Sequence, residues 1–417
     1  MDRRQFLQTG GALAGLALAG CATSPRGAAK VIVVGAGYGG ATAARYLKLW
    51  APQLDVTLVE RNAEFVSCPL SNLVLGGSKS MADVTVGFGS LQRLGVRLVH
   101  AEALAVDTDR RQLRLADGTL LAYDRIILSP GVDFQSGQIP GLNTGAAQAR
   151  ILHAWKAGPQ TVQLRRQLEA MRDGGVFAIS IPELPYRCPP APYERACVVA
   201  DYFKRAKPKS KILILDANAD VTAEPALFKR VWAERYGGMV EHRPNSRLLD
   251  VDAQNLVAKL EVEDAAADVL NVLPPMKAGA IADPFITVNG RWCEVNWLTY
   301  ESKAVAGVHI LGDALQTAPL MPKSGHIANA HAKVCAAAVI ALLEGAGVNT
   351  APVLVSTCYS FVSAEQAMHV ASVYKYDKAG NTMLSVPGAG GLSAAPNELE
   401  AQYAMSWARN IWADMFG

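Results

Sequence analysis

The 417-residue sequence has no Cys-x-x-Cys, no histidine pair at metal-ligand spacing and no Gly-x-Ser-x-Gly. Without closely spaced thiolates or imidazoles there is no zinc site and no haem-attachment site. The nearest histidines, His326 and His331, are five residues apart and share no helical face. The missing Gly-x-Ser-x-Gly removes the nucleophile turn of an α/β-hydrolase. Charge is sparse too. The net charge is +3, of which residues 1–29 carry +2, so no basic surface for nucleic acid is expected. Half the residues are hydrophobic and only 18% are charged, which marks an ordered globular chain. Its length predicts two or three domains around a large core. Beyond the N-terminus no stretch is expected to span a membrane.

The first 29 residues read as a targeting segment. Arg3-Arg4-Gln-Phe-Leu resembles a twin-arginine export signal, and Gly11 to Gly20 is its short apolar segment. That segment is too short to cross a bilayer comfortably. Leu18-Ala-Gly-Cys21 also reads as a lipoprotein signal with Cys21 lipidated; ordinary cleavage near Ala28-Ala29 is the other reading. Both predict a periplasmic protein exported after it has folded around a cofactor, in a compartment where disulfides persist.

The chain then turns to nucleotide chemistry. Val31-Ile-Val-Val34 predicts a buried parallel strand, followed at once by Gly35-Ala36-Gly37-x-x-Gly40 and a helix over 41–50. Glycines at these places allow a tight turn, close approach of backbone to a pyrophosphate, and close helix–strand packing. The helix-start amides and dipole then face the phosphates. Asp55 to Glu60 is a second strand, and Glu60 ends it 20 residues after Gly40, where a carboxylate takes a ribose hydroxyl. Arg61 follows beside it. A hairpin sheet is expected from 96–103 and 112–120. Tyr123 to Gly131 is a further strand ending in a glycine turn, and Val308-His-Ile-Leu-Gly312-Asp313 is another ending in Gly-Asp.

A second strand–turn–helix starts at Gly175, but its turn differs. Pro182 to Arg195 holds five prolines and no glycine. Proline has no amide to offer, and without glycine the backbone cannot approach a pyrophosphate. Nicotinamide binding is therefore expected to be lost, while Lys211 to Asp216 keeps the sheet. A helix is predicted over 196–204 and another over 327–345. The Gly388-Ala-Gly-Gly piece is expected to be a turn, since no strand and helix flank it properly.

Seven cysteines remain to be placed: Cys21, Cys68, Cys188, Cys197, Cys293, Cys335 and Cys358. Cys197 and Cys335 fall in apolar helices and read as buried. Cys293 has no clear role. Cys68 reads either as a redox cysteine or as a buried one. Spacing alone pairs none of the cysteines.

The order of these motifs, with Cys68, Cys188 in Arg-Cys-Pro-Pro, Met321-Pro-Lys-Ser324 and Cys358 in Thr-Cys-Tyr-Ser, resembles the flavoprotein subunit of flavocytochrome c sulfide dehydrogenase. The resemblance covers essentially the whole chain after the signal. It implies an α/β, glutathione-reductase-like flavoprotein with two dinucleotide-binding domains and a C-terminal α+β segment. The implied boundaries are an FAD domain over 30–147 and 285–345, a second domain over 148–284 that has lost NAD, and a C-terminal domain over 346–417. It further implies FAD joined through Cys68, with Gly35, Ala36, Gly37, Gly40, Glu60, Arg61, Ala103, Gly131, Gly312 and Asp313 holding it. Asp313 binds a ribityl hydroxyl. Lys323 steadies the reduced flavin near N1 and O2, or lies solvated at a helix start.

A redox-active Cys188–Cys358 disulfide, a c-type cytochrome partner in a heterodimer, and hydrosulfide as substrate complete the implied picture. Hydrosulfide opens the disulfide by exchange, electrons leave through flavin and haem, and sulfur departs as polysulfide or elemental sulfur. Glu194 handles protons or, as the plainer reading, forms a surface ion pair. Two alternatives stand beside this one. One is a sulfide:quinone oxidoreductase, disfavoured because the tail has no basic amphipathic helix. The other is a non-catalytic flavin-holding partner of a sulfur-oxidising assembly, disfavoured by the retained cysteine pair.

Overall fold

The computed structural model describes residues 28–417. The twin-arginine signal and Cys21 lie outside the described residues. Strand β1 (Lys30–Val34) is buried from Val31 onward and runs into helix α1 (Tyr38–Trp50), which starts three residues earlier than expected. β1 sits between β2 (Asp55–Glu60) and the strand Arg125–Leu128, all parallel. The strands Val308–Ile310 and Arg97–His100 complete a five-stranded sheet at its two edges. The second edge corrects the expected hairpin. Residues 97–100 pair with β2, and the small antiparallel sheet is built instead from 103–107, 112–115 and 120–122. Alternation of apolar residues alone does not distinguish an edge strand of a parallel sheet from a hairpin arm.

The second sheet is also parallel, in the order 240–243, 211–216, 176–181, 269–272. Its first helix, α2 (Ala191–Ala206), is longer than the expected 196–204. Pro190 caps it and Pro192 lies in its first turn, where a missing amide costs nothing. Part of the proline-rich loop is thus the opening of the helix. Helix α3 (Pro225–Arg235) follows.

Helix α4 (Gly325–Glu344) stops where Gly345 takes a left-handed conformation at φ 71°. Contrary to expectation, α4 is long and apolar enough to cross a bilayer. Half of it is buried in the protein, and Ile327, Ala332, Cys335, Ala336 and Val339 belong to the main core. The chain ends in an antiparallel sheet led by β3 (Val353–Phe361), whose Cys358 pairs with Val370, and in helix α5 (Glu398–Phe416). Residues 388–390 form a turn before a two-residue strand. The C-terminal helix reaches back to α1 and to the segment after β2: Trp412 Nε1 donates to Tyr38 Oη at 3.2 Å, and Phe416 packs 5.2 Å from Phe65.

Candidate active site

A cavity of about 500 Å³ runs from the β1–α1 turn to the start of α2. Gly35, Ala36, Gly37, Glu60, Arg61, Cys68, Ala103, Gly131, Gly312, Asp313 and Cys188 all line it. Gly40, Lys323 and Cys358 do not.

The three glycines of the turn have separate roles. Gly35 has φ +90°, and a Cβ there would meet the Ser129 carbonyl oxygen at 2.5 Å. A Cβ on Gly40 would meet the Gly35 carbonyl oxygen at 1.8 Å, so Gly40 works by letting α1 close on β1. A Cβ on Gly37 would meet nothing within 4 Å, and the space before it is the cavity at the N-terminus of α1. That space fits a pyrophosphate. Glu60 closes the other side, accepting from Ala36 N at 2.7 Å and from Asn62 N at 2.8 Å.

Asp313 supplies the sharpest test of fit. Its Oδ1 is buried without a partner among the described residues. Burial pushes the carboxyl above its ordinary range, opposed by the Arg187 and Lys323 charges. A ribityl hydroxyl donated to Oδ1 would satisfy it, and a buried acceptor left unmade costs about 1–3 kcal/mol. The open Gly37 face and the orphaned Asp313 oxygen together fit FAD.

Cys68 lies in the same wall. Its Sγ accepts from Ala157 N at 3.5 Å and donates to the Trp155 carbonyl at 3.9 Å. Lys323 departs from both expectations, since it neither lines the cavity nor is solvated. Its ammonium is buried, donating to the carbonyls of Asp313 at 2.9 Å and of Leu315, and it lies 3.5 Å over the Trp292 ring. Burial lowers its pKa to about 7. The Lys323 backbone has the clearer role. Its carbonyl accepts from Cys188 N at 2.8 Å and so fixes the cysteine loop.

Cys188 has φ +57°, a conformation rare for a residue with a side chain. Both Cys188 and Cys358 are thiols in this structure, so the expected disulfide is not formed in it. The chain still brings them to one place: Cys188 N donates to the Lys323 carbonyl, and the next residue, Ser324, has its Oγ 3.5 Å from Ser356 Oγ, two residues before Cys358 on β3. Burial and then the field of Cys358 push Cys188 well above the usual thiol range. Burial and then Glu224 push Cys358 to about 11.

The groups around this pair were mostly hidden in the sequence. Glu194 is not a surface ion pair. It is buried, its Oε2 accepts from Asn72 Nδ2 at 2.7 Å, and its Oε1 accepts from Phe361 N at 3.0 Å. Burial raises it to about 7. Arg195 is buried beside it and lines the cavity, giving hydrogen bonds to Asn72 Oδ1, Asn271 Oδ1 and the carbonyls of His153 and Ala154. Burial lowers Arg195 to about 9. The acidic–basic pair Glu194-Arg195 just after Arg-Cys-Pro-Pro was the available signal. Glu224 gave none, because a glutamate before Pro225 reads as an ordinary helix start.

The end of the second sheet that corresponds to the Glu60 end of the first is filled by side chains. Asp216 ends the strand 211–216 as Glu60 ends β2, yet it is fully buried. Its Oδ2 accepts from Tyr193 Oη at 2.7 Å and meets His242 Nε2 at 3.0 Å. Tyr186 Oη meets Thr222 Oγ1 at 2.7 Å above it.

Three stretches of the chain match known families. Residues 161–274 match "Sulfide dehydrogenase [flavocytochrome c] flavoprotein chain, central", and residues 350–416 match "Flavocytochrome c sulphide dehydrogenase, flavin-binding". Residues 29–163 match "Pyridine nucleotide-disulphide oxidoreductase". The sulfide dehydrogenase flavoprotein chain of Chlorobaculum thiosulfatiphilum is 52% identical over 48 residues, which are 12% of this chain and all of that one. The chain belongs to the flavocytochrome c sulfide dehydrogenase flavoprotein family.

Mitochondrial sulfide:quinone oxidoreductase of Mus musculus is 24% identical over 302 residues, 68% of this chain and 65% of the mouse protein. This member of the flavoprotein family therefore spans just under two thirds of that relative. The sulfide:quinone oxidoreductase of Aquifex aeolicus shares the fold, with a TM-score of 0.77 at 15% identity over 93% of this chain and 92% of the other.

Proposed function

We propose that this chain is the FAD-bearing subunit of a periplasmic sulfide dehydrogenase that oxidises hydrosulfide at a Cys188–Cys358 disulfide and serves a c-type cytochrome subunit. The observation that carries the reading is that Cys188 stands in the wall of the cavity built around the Gly35–Gly40 turn, with Cys358 outside that wall on the strand that meets it through Ser356 and Ser324. FAD held there supplies a two-electron acceptor able to release electrons singly to a haem.

The chain's own residues divide the work. Hydrosulfide attacks Cys358, because Cys188 faces the cofactor cavity and is the sulfur that must leave toward it. The Cys358–Cys188 bond breaks, a persulfide forms on Cys358, and Cys188 leaves as a thiolate carrying the electron pair. Arg187, in the cavity wall next to Cys188, favours that thiolate. Cys68 tethers the cofactor, and Asp313 with Glu60 orients it.

Anaerobic sulfide titration followed by flavin absorbance tests the reading. Cys188→Ser and Cys358→Ser should each abolish bleaching, and full bleaching in either variant would overturn it. Acid-precipitated protein should keep its flavin, and Cys68→Ser should lose it to the supernatant.

A quinone acceptor is the second reading, favoured by the likeness to the mouse oxidoreductase across 68% of the chain. Turnover with cytochrome c but not with a soluble quinone supports the cytochrome-linked form, and the reverse supports the quinone.

A further inference from the structure

Among the described residues, Glu194 and Glu224 are buried carboxylates beside the cysteine pair, and of these two it is Glu224 that has an unpartnered oxygen. Both oxygens of Glu194 are taken, by Asn72 and by Phe361 N. Glu224 is equally buried, but its Oε1 has no partner among the described residues. It precedes Pro225 at the start of α3 with φ +53°, and its side chain caps nothing. That backbone is strained for a residue with a side chain, and it turns the carboxylate inward rather than toward the helix amides.

The direction it takes is set by β3. Successive side chains alternate across a strand, so Ser356, Cys358 and Ser360 share one face at spacings of about 7 Å. Ser360 Oγ donates to Glu224 Oε2 at 3.2 Å. At the other end Ser356 Oγ lies 3.5 Å from Ser324 Oγ, and Ser324 lines the cofactor cavity. Cys358 therefore stands between the cavity and Glu224.

We infer that Glu224 is the proton acceptor for sulfur bound at Cys358. The inference rests on the sulfide-oxidising reading above. Hydrosulfide brings one hydrogen to the site. When its sulfur bonds to Cys358 and the bond to Cys188 breaks, the electron pair goes to Cys188 and the hydrogen stays on the terminal persulfide sulfur. That proton passes to Glu224 Oε1, leaving a persulfide anion and a neutral glutamic acid. Charge in the pocket is unchanged by the transfer, which suits a site with little water. Cys358 on β3 and Glu194 on α2 are the titratable groups facing Glu224. Burial favours its protonated form first, and the neighbouring Glu194 charge does the same.

The test compares wild-type holoenzyme with Glu224→Gln and Cys358→Ser in anaerobic stopped-flow, following flavin bleaching by sulfide from pH 5.5 to 8.5, a span of about three units around the Glu224 pKa of about 7. The wild-type rate, expressed per hydrosulfide so that the ionisation of dissolved hydrogen sulfide in the same range is removed, should rise through an ionisation of the enzyme. Glu224→Gln should lose the inflection and fall about 100-fold, the lower bound of what a positioned base contributes. A second readout needs no turnover. In dithiol-reduced protein, alkylation of Cys358 mapped by peptide mass should occur at lower pH in Glu224→Gln, because the nearest negative charge is gone. Ser360→Ala keeps the carboxylate but frees it, and should shift the inflection without abolishing it. Wild-type rate, inflection and alkylation in Glu224→Gln beside an inactive Cys358→Ser would overturn the inference and leave the disulfide reading intact. An active Cys358→Ser would overturn both.

Discussion

Gly37 and Gly40 look alike in the sequence and differ in what surrounds them. A Cβ at Gly40 collides with the Gly35 carbonyl oxygen at 1.8 Å, and the colliding atom is backbone, which cannot swing aside. We expect Gly40→Ala to lower stability by about 1–3 kcal/mol, the range for overpacking, and to lose cofactor with it. A Cβ at Gly37 collides with nothing and enters the cavity. Gly37→Ala should therefore melt at the wild-type temperature as apoprotein and bind FAD more weakly. Thermal melts of apo and reconstituted protein separate the two, and a Gly40→Ala variant with wild-type stability would refute the packing argument. Lys323 shows the limit of such residue-level reading. Its motif placed it near the cavity, but whether a lysine reaches a ligand or two backbone carbonyls is decided by side-chain direction, which no spacing encodes. Glu224 was illegible for the same reason: a left-handed backbone turned its carboxylate from the helix end to the cysteines.

At the scale of elements, the β1–α1–β2 unit was legible because strand, glycines, helix and terminal acid each constrain the same backbone path. The strand 97–100 was not, since its partner lies 40 residues back at Thr57–Glu60 and pairing over that distance leaves no local mark. The second sheet was legible in its strands and only half legible in its turn. The prolines marked the turn as unlike a glycine-rich phosphate loop, but not that Pro190 and Pro192 open α2 or that tyrosines fill the crevice. Asp216 makes the consequence concrete. The carboxylate that a nucleotide ribose would need is fully buried and already held by Tyr193 and His242. We expect NADH to leave the flavin oxidised and the melting temperature unchanged at concentrations where sulfide bleaches the flavin within the mixing time. Saturable reduction by NADH would show that the Tyr186–Thr222–Tyr193 cover opens.

Across the whole molecule, buried ionisable groups set how stability depends on pH. His153, His309 and His331 are held neutral, with pKa values lowered by burial to about 3, 4 and 3. The reasons differ. His331 has no partner on either nitrogen and packs against Tyr300 at 4.9 Å. His309 meets Arg125 Nη1 at 3.1 Å through Nε2, so its proton sits on Nδ1, which donates to the Thr299 carbonyl. Between pH 6.5 and about 4 the unfolded chain binds protons that these histidines refuse, so stability falls as pH falls. Glu194 and Glu224 act in the opposite sense. Raised from 4.5 to about 7, they bind protons in the folded state first, and stability rises as pH falls through that window. Burial lowers His326 as well, so the two glutamates offset two of these four histidines down to pH 4.5, and below it the offset ends. Each uncompensated histidine then costs about 1.4 kcal/mol per pH unit. Urea unfolding of the apoprotein should give a shallow slope from pH 6.5 to 4.5 and a break to a steeper one below it. The paired variant Glu194→Gln with Glu224→Gln removes the offset, so its slope should already be steep from pH 6.5. A wild-type curve without the break, or a variant curve parallel to wild type, would mean that these carboxyls titrate near their ordinary values.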